Sequence, residues 1–337
     1  PTYSPLNLID TWEISPDVPL GLSFNNGVIS GTPMVNSTKV EYTVWANNTG
    51  GSAFATFNIT IVEPTGSFAY VPPSINMTRG QGISPIYPNY NGGAIESWSI
   101  YPDVPAGLIF DNGTISGTPT VNMTLTTFLI YANNSGGSAL VGISLTILEP
   151  APTIIYQTDY LILTRGEEMP SALHAIFGGG AVASFNVEPE LPNGLNFTNG
   201  TIFGTPTVNS SLVQYNITAI NNGGSDYFLL NITILEPVAI LDVETNYFEL
   251  TRSETEMNLT LNNTGGMVAT WEVYPDLPDG LIFGNGTITG VPNVNSSLAT
   301  YEIFANNTGG SASILINIKI PLVSRRSRQW LFQEHRC

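Results

Sequence analysis

The sequence is nearly without the residues that cross-link a chain, titrate near neutrality or carry positive charge. Its one cysteine, Cys337, is the last of 337 residues, so no internal disulfide framework exists and the fold must rest on packed cores. There are two histidines, His174 and His335, and nine Lys plus Arg against 26 Asp plus Glu, for a formal net charge of −17. The shortage of cations is uneven: residues 1–321 hold 25 acids and five cations, whereas the last sixteen residues carry +3. A body of that sign repels nucleic acid and anionic membrane. No apolar run approaches the ~18 residues of a membrane-spanning helix, and no signal peptide opens the chain.

The motifs of catalysis are missing too. There is no H-E-x-x-H, no G-x-S-x-G, no phosphate-binding G-x-x-x-x-G-K and no cysteine cluster. His174, in SALHAIFGGG, has no counterpart elsewhere in the chain and reads as a loop or edge residue. The sequence therefore predicts a protein that is not an enzyme, with no catalytic or cofactor-binding residues.

Repetition is what remains. TWEISPDVPLGLSF from Thr11, SWSIYPDVPAGLIF from Ser97, SFNVEPELPNGLNF from Ser184 and TWEVYPDLPDGLIF from Thr270 align directly. Trp12, Trp98, Phe185 and Trp271 fix a period of 86 to 87 residues. Each copy continues through a Gly-containing turn (NNG, DNG, TNG or GNG) into G-T-P or G-V-P, then an alternating stretch. An Asn-Asn-(x)-Gly-Gly loop and a second alternating stretch follow, the latter ending at Glu-Pro in the first three copies.

Phe57, Ile59 and Ile61 alternate with Asn58, Thr60 and Val62, the period of a half-buried strand. Gly and Asn tolerate positive φ, so the loops between alternating stretches predict hairpins. The prolines of Pro-(Asp/Glu)-(Val/Leu)-Pro, such as Pro16 and Pro19, cannot lie inside a central strand and predict a rigid corner. The Gly-Leu that follows should return Leu22, Leu108, Leu195 and Leu281 to the core beside the aromatic anchor. Counting all such runs gives about seven short strands per repeat and no helical periodicity, which predicts an all-β fold of tandem sandwiches.

The pattern W-x-(I/V)-x-P-(D/E)-(V/L)-P-x-G-L-x-F, then N-G-x-I-x-G-T-P, then A-N-N-x-G-G-S resembles the immunoglobulin-like repeat family of prokaryotic surface proteins. It is similar to dystroglycan-type cadherin-like repeats, and looks most like versions strung together in large surface proteins of marine archaea. The resemblance covers residues 1 to about 321. It implies Ig-like or cadherin-like β-sandwich domains in an elongated array, with adhesion or spacing roles.

Boundaries are expected at Glu63-Pro64, Glu149-Pro150 and Glu236-Pro237, giving repeats at 1–64, 65–150, 151–237 and 238–321. The last sixteen residues, 322–337, form a basic non-repeat tail expected to be disordered. Linkers this short imply a semi-rigid array, and a ten-residue strand at about 3.3 Å per residue implies roughly 35 Å of reach per repeat. Pro1 aligns with Tyr87, so the first repeat lacks the counterpart of about 22 residues and should be the least stable.

Three sets of side chains are candidates for chemistry. Asp17, Asp103, Glu190 and Asp276, with Glu63, Glu149 and Glu236, are either solvated acids or hard oxygen ligands for calcium at repeat junctions. No dense D-x-D cluster accompanies them. Thr78-Arg79, Thr164-Arg165 and Thr251-Arg252 repeat a cation, expected to pair with an acid or cap a turn carbonyl. Seventeen N-x-S/T sequons include Asn36, Asn58, Asn122, Asn209, Asn231 and Asn295. Asn58 and Asn231 are expected on an outward strand face.

The function this supports is an extracellular or cell-surface stalk or adhesion module, a glycoprotein if the sequons are used, with a surface protein or glycan as partner. Membrane contact would come only through parts of a longer protein. Two alternatives remain open: an accessory carbohydrate-binding region of a secreted hydrolase, with Tyr101 and Tyr274 as exposed rings, and calcium-stiffened homophilic adhesion repeats.

Overall fold

Where apolar residues alternate over eleven or twelve positions, the chain forms its longest strands. The computed structural model describes residues 8–322. The chain divides into two compact units, Pro1–Pro150 and Ala151–Cys337. In the first unit the strands are β1 (Thr11–Ser15), β2 (Leu22–Asn25), β3 (Val28–Gly31), β4 (Ser37–Asn48) and β5 (Gly51–Ile61). The second repeat adds β6 (Ser67–Ala69), β7 (Ser74–Thr78), β8 (Ile83–Ile86), β9 (Asn89–Asn91), β10 (Ser97–Tyr101), β11 (Leu108–Asp111), β12 (Thr114–Gly117), β13 (Met123–Asn134) and β14 (Gly137–Leu148).

The second repeat is a sandwich of four strands, β10-β13-β14-β7, and three, β11-β12-β8. Their number agrees with the count of about seven that the sequence pattern predicts. A two-stranded ribbon, β6-β9, is additional and was too short to show a period of two. All pairs are antiparallel except β7 with β14, which run parallel with Ile75 opposite Leu145 and Met77 opposite Ile147. The second unit repeats this plan twice: Tyr160–Thr164 lies parallel to Gly224–Leu235, and Tyr247–Glu249 lies parallel to Gly310–Ile320. The chain is thus an all-β tandem array of Ig-like sandwiches.

Cores sit between the two sheets of each repeat. In the third, Ile202, Ile217, Leu230 and Ile232 are fully buried, each contributing about 1.5–3 kcal/mol through removal of apolar surface from water. Trp98, Phe185 and Trp271 pack at the margins of their cores. At Gly113 the turn requires φ of +76°, and an added Cβ would meet the Trp98 ring at 3.0 Å, so the Asn-Gly turn folds flat against the anchor. The corner prolines behave as expected, and Pro16, Pro102, Pro189 and Pro275 each follow a cis peptide bond.

The first repeat differs. Leu108, Leu195 and Leu281 are buried, but Leu22 is only partly so, correcting the expectation for that residue. The reason is visible in the sheets. Among the described residues the first repeat has only β1-β4-β5 and the hairpin β2-β3, so no parallel strand covers β5 and no third strand joins the smaller sheet. Tyr42 is its one buried hydrophobic residue among those described. The expectation for the basic tail lies outside the described residues from 323 onward.

Candidate functional site

The residues that recur most strictly outside the core meet where one repeat gives way to the next. In the first unit, the backbone N–H of Glu63 donates to Ser135 Oγ at 2.9 Å, and Asn134 Nδ2 donates to the Pro64 carbonyl at 3.0 Å. In the second, the Glu236 N–H donates to Thr308 Oγ1 at 2.9 Å, and Asn307 Nδ2 donates to the Pro237 carbonyl at 2.7 Å. The Asn-Asn-(Ser/Thr)-Gly-Gly loop of one repeat therefore clasps the Glu-Pro linker that precedes that repeat.

Local chemistry shapes the clasp before the linker arrives. Asn134 Oδ1 accepts from Gly136 N–H at 2.9 Å, and Asn307 Oδ1 accepts from Gly309 N–H at 2.8 Å, a turn in which Asn bonds its own backbone two residues on. The Ser135 N–H is held by Glu96 Oε1 at 3.0 Å. A Cβ on Gly136 would overlap the Glu63 carbonyl oxygen, and one on Gly309 would overlap that of Glu236. Glycine is thus required by close backbone approach.

The linker acid is held from the other side. Arg79 Nη2 lies 2.5 Å from Glu149 Oε2, and Arg165 Nη2 lies 2.7 Å from Glu236 Oε2. The reach to an acid expected of the recurring Arg is borne out for these two. The Glu236 carboxyl is held below the usual range for a glutamic acid, first by the Arg165 hydrogen bond, with burial opposing and the Met267 N–H assisting. Both guanidinium groups are raised by the same pairing. Arg252 forms no ion pair among the described residues, because Leu322 stands at the position of Glu149 and Glu236.

The other predicted acids do not join them. Asp17, Asp103, Glu190 and Asp276 are exposed at their Pro-bracketed corners. Glu63 is half-buried at the first junction. Among the described residues no three His, Cys, Asp or Glu side chains come together in a metal-holding group. His174 lies on a two-residue strand, Leu173–His174, with Nδ1 3.1 Å from Thr201 Oγ1. Tyr101 and Tyr274 are exposed, at 72% and 74%.

Of the sequons, Asn36, Asn122, Asn209 and Asn295 are exposed, each one residue ahead of a long strand. Asn58 is exposed on β5. Asn231 is half-buried, and its Nδ2 donates to the Asp159 carbonyl at 3.2 Å.

One pair that sequence reasoning missed lies inside the sandwich. Tyr70 OH donates to the Gly113 carbonyl at 2.5 Å, and Tyr156 OH to the Gly200 carbonyl at 2.8 Å. Burial pushes both phenols up to about 12. The signal was present as Tyr recurring 43 or 44 residues ahead of the Asn-Gly turn. The fourth repeat carries Val243 near that point, which hid it.

No curated protein sequence matches the chain. Among solved structures, the I-band fragment I67-I69 from titin aligns over 78% of this chain and all of its own, at 15% identity and a TM-score of 0.36. The N-terminal eight Ig domains of Down Syndrome Cell Adhesion Molecule align over 90% of this chain and 47% of their own, at 16% identity and 0.28. Drosophila N-cadherin EC1-4 aligns over 93% and 92%, at 12% identity and 0.28. Residues 1–62, 66–148 and 151–234 match the family model described as "Putative Ig domain", and the chain belongs to that family.

Proposed function

We propose that the chain is an extracellular or cell-surface structural and adhesion module acting as a semi-rigid stalk or spacer, of the prokaryotic surface-protein or dystroglycan-type kind. An Ig-fold repeat of this family fits a non-enzymatic structural module. The observation that carries the reading is the clasp. A linker whose N–H, carbonyl and side chain are all bonded keeps little of the freedom that a two- or three-residue tether would otherwise have. Holding repeats at a set angle serves a spacer.

The location is supported by composition. Charged residues are 10% of the chain, seventeen sequons are present, and solubility rests on Asn, Ser and Thr. Small-angle X-ray scattering of the whole chain tests the spacer reading: a rod-like profile is expected, and a compact particle of the same mass overturns it. Intact-mass measurement on native material tests the glycan: added sugar mass is expected, for which Asn36, Asn122, Asn209 and Asn295 are exposed acceptors, and its absence overturns the reading.

A further inference from the structure

The larger sheets of the second, third and fourth repeats each end on a parallel edge strand, and these edges differ in what they offer a neighbour. In the second repeat the exposed positions of β7 are Ser74 and Asn76; Pro72 and Pro73 precede the strand, and Asn76 heads an N-x-T sequon. In the fourth, exposed Glu249 is paired with Lys319 at 3.2 Å. Proline and charge are the usual guards of an open edge. Tyr160–Thr164 in the third repeat has no proline, no charge and no sequon, and its Tyr160 and Ile162 are 61% and 64% exposed.

The exposed apolar face continues onto the next strand. Tyr160 lies opposite Asn231 and Ile162 opposite Thr233 on Gly224–Leu235, whose Tyr227 and Leu229 are exposed on the same side. Asn231 heads a sequon, yet its Nδ2 donates to the Asp159 carbonyl at 3.2 Å and its Oδ1 accepts from Gln214 Nε2 at 3.3 Å. Those bonds tie the side chain down beside Tyr160.

The backbone of this strand faces two ways. The Asp159 carbonyl accepts from the Asn231 N–H and the Arg165 N–H donates to the Leu235 carbonyl, both at 2.8 Å. Alternation from those ends turns the N–H and C=O of Leu161 and Leu163 toward the sheet and those of Tyr160, Ile162 and Thr164 toward the open edge. Some of the outward groups are engaged locally. The Thr158 hydroxyl accepts from the Tyr160 N–H at 3.3 Å and donates to its carbonyl at 3.0 Å, and the Thr164 carbonyl accepts from the Glu167 N–H at 3.2 Å. Among the described residues Ile162 keeps both of its groups open.

We infer that Tyr160–Thr164 is a self-association edge, on which the same strand of a second copy of the chain lies antiparallel with Ile162 opposite the partner's Ile162. Three matches fix that register. About a dyad at Ile162 the outward N–H and C=O groups of positions 160, 162 and 164 meet those of the other copy. Tyr160 and Ile162 of both copies join into one apolar face. Asp159 is exposed and has no ion pair among the described residues, and it comes opposite the partner's Arg165. Arg165 spends Nε and Nη2 on Glu236, which leaves Nη1 for that acid. A parallel arrangement, or a slip of the register, separates the charges at both ends of the strand. The inference goes beyond the spacer reading, which needs no partner.

Sedimentation velocity of the whole chain tests it, with Cys337 kept reduced and about 0.15 M salt screening the net charge of −17. A monomer–dimer equilibrium that shifts with concentration is expected, with amide exchange slowed at Ile162 and Thr164 in the dimer. Ile162→Lys sets two like charges face to face and should weaken the dimer at least about tenfold, and Asp159→Asn should weaken it about two- to tenfold. Both side chains are exposed and lie outside the core, so these variants fold. Ile162→Cys in a Cys337→Ser background should oxidise to a covalent dimer, because opposed Cα atoms in such a pair lie about 5.5 Å apart. Tyr160→Cys in the same background, placed opposite the partner's Thr164, should not. A chain that stays monomeric up to about 1 mM overturns the inference and leaves the spacer reading standing. So does a dimer that Ile162→Lys does not weaken, cross-linking at position 160 as ready as at 162, or sugar on Asn231 in native material.

Discussion

Arg165 and Glu236 close the third repeat at one corner: Arg165 Nη2 lies 2.7 Å from Glu236 Oε2, and Nε reaches both carboxylate oxygens at 3.2 Å. The two residues are 71 apart in sequence yet end strands that run parallel side by side. The backbone of the same glutamate is bonded to Thr308 of the fourth repeat. Glu236 therefore couples the integrity of one sandwich to the seating of the next.

That coupling predicts an acid limb. The carboxyl of Glu236 is depressed in the folded chain, by Arg165 first, relative to about 4.3 when unfolded. A depressed acid stabilises above its unfolded value and loses that contribution as pH falls through the folded one. Glu236→Gln should cost on the order of 1 kcal/mol at pH 7, and the difference from the parent should shrink as pH falls through the folded value. Calorimetric melting between pH 7 and pH 2 measures it. An offset that stays constant over that range would show that the charge has no part.

The buried tyrosines predict the opposite limb. Phenols raised to about 12 in the fold and near 10 when unfolded favour the folded state fully below pH 10, and this is lost as pH rises toward 12. Tyr70→Phe and Tyr156→Phe should each cost about 1–2 kcal/mol at pH 7, because the Gly113 or Gly200 carbonyl loses its buried donor. Urea titrations at pH 7 and pH 11 separate the terms. The gap between parent and Phe variant should shrink at the higher pH.

Gly309→Ala tests the clasp without touching a core. The new Cβ would overlap the Glu236 carbonyl, so the linker must leave its seat while both sandwiches stay folded. Circular dichroism should be unchanged, and residual dipolar couplings should show the third and fourth repeats reorienting independently. Gly136→Ala should do the same for the first and second. Retained common alignment in either variant would remove the clasp as the source of stiffness.

Most of the fold was legible because a β-sandwich writes its plan in a period of two. Phe57, Ile59 and Ile61, repeated as Leu230, Ile232 and Ile234, announce strands wherever they occur. Two- to four-residue ribbons such as β6-β9 are too short to alternate, so they left no period of two, only short apolar runs such as those around Tyr70 and Ile154. The site was legible only as a list of parts. Arg79 and Glu149 stand 70 residues apart, and parallel pairing, which brings them together, depends on where the chain returns and not on local composition. The Asn-Asn-(x)-Gly-Gly loops read as hairpin turns, and so they are; their second use as clasps depends on the neighbouring repeat.

The open β5 makes the strongest quantitative contrast between equivalent positions. Ile232 is fully buried under Tyr160–Thr164, whereas Ile59 in β5 is half-exposed, with no such strand over it among the described residues. Ile232→Ala removes buried methyl groups and leaves a cavity, at a cost of about 2–5 kcal/mol. Ile59→Ala removes groups already in contact with water on one side, so its cost should be about half or less. The same exposure means that the first repeat gains less apolar burial than the others and should unfold first. Amide hydrogen exchange should rank residues 37–61 as least protected among the long hairpins. Equal exchange at Ile59 and Ile232 would show that the missing strand costs the first repeat nothing.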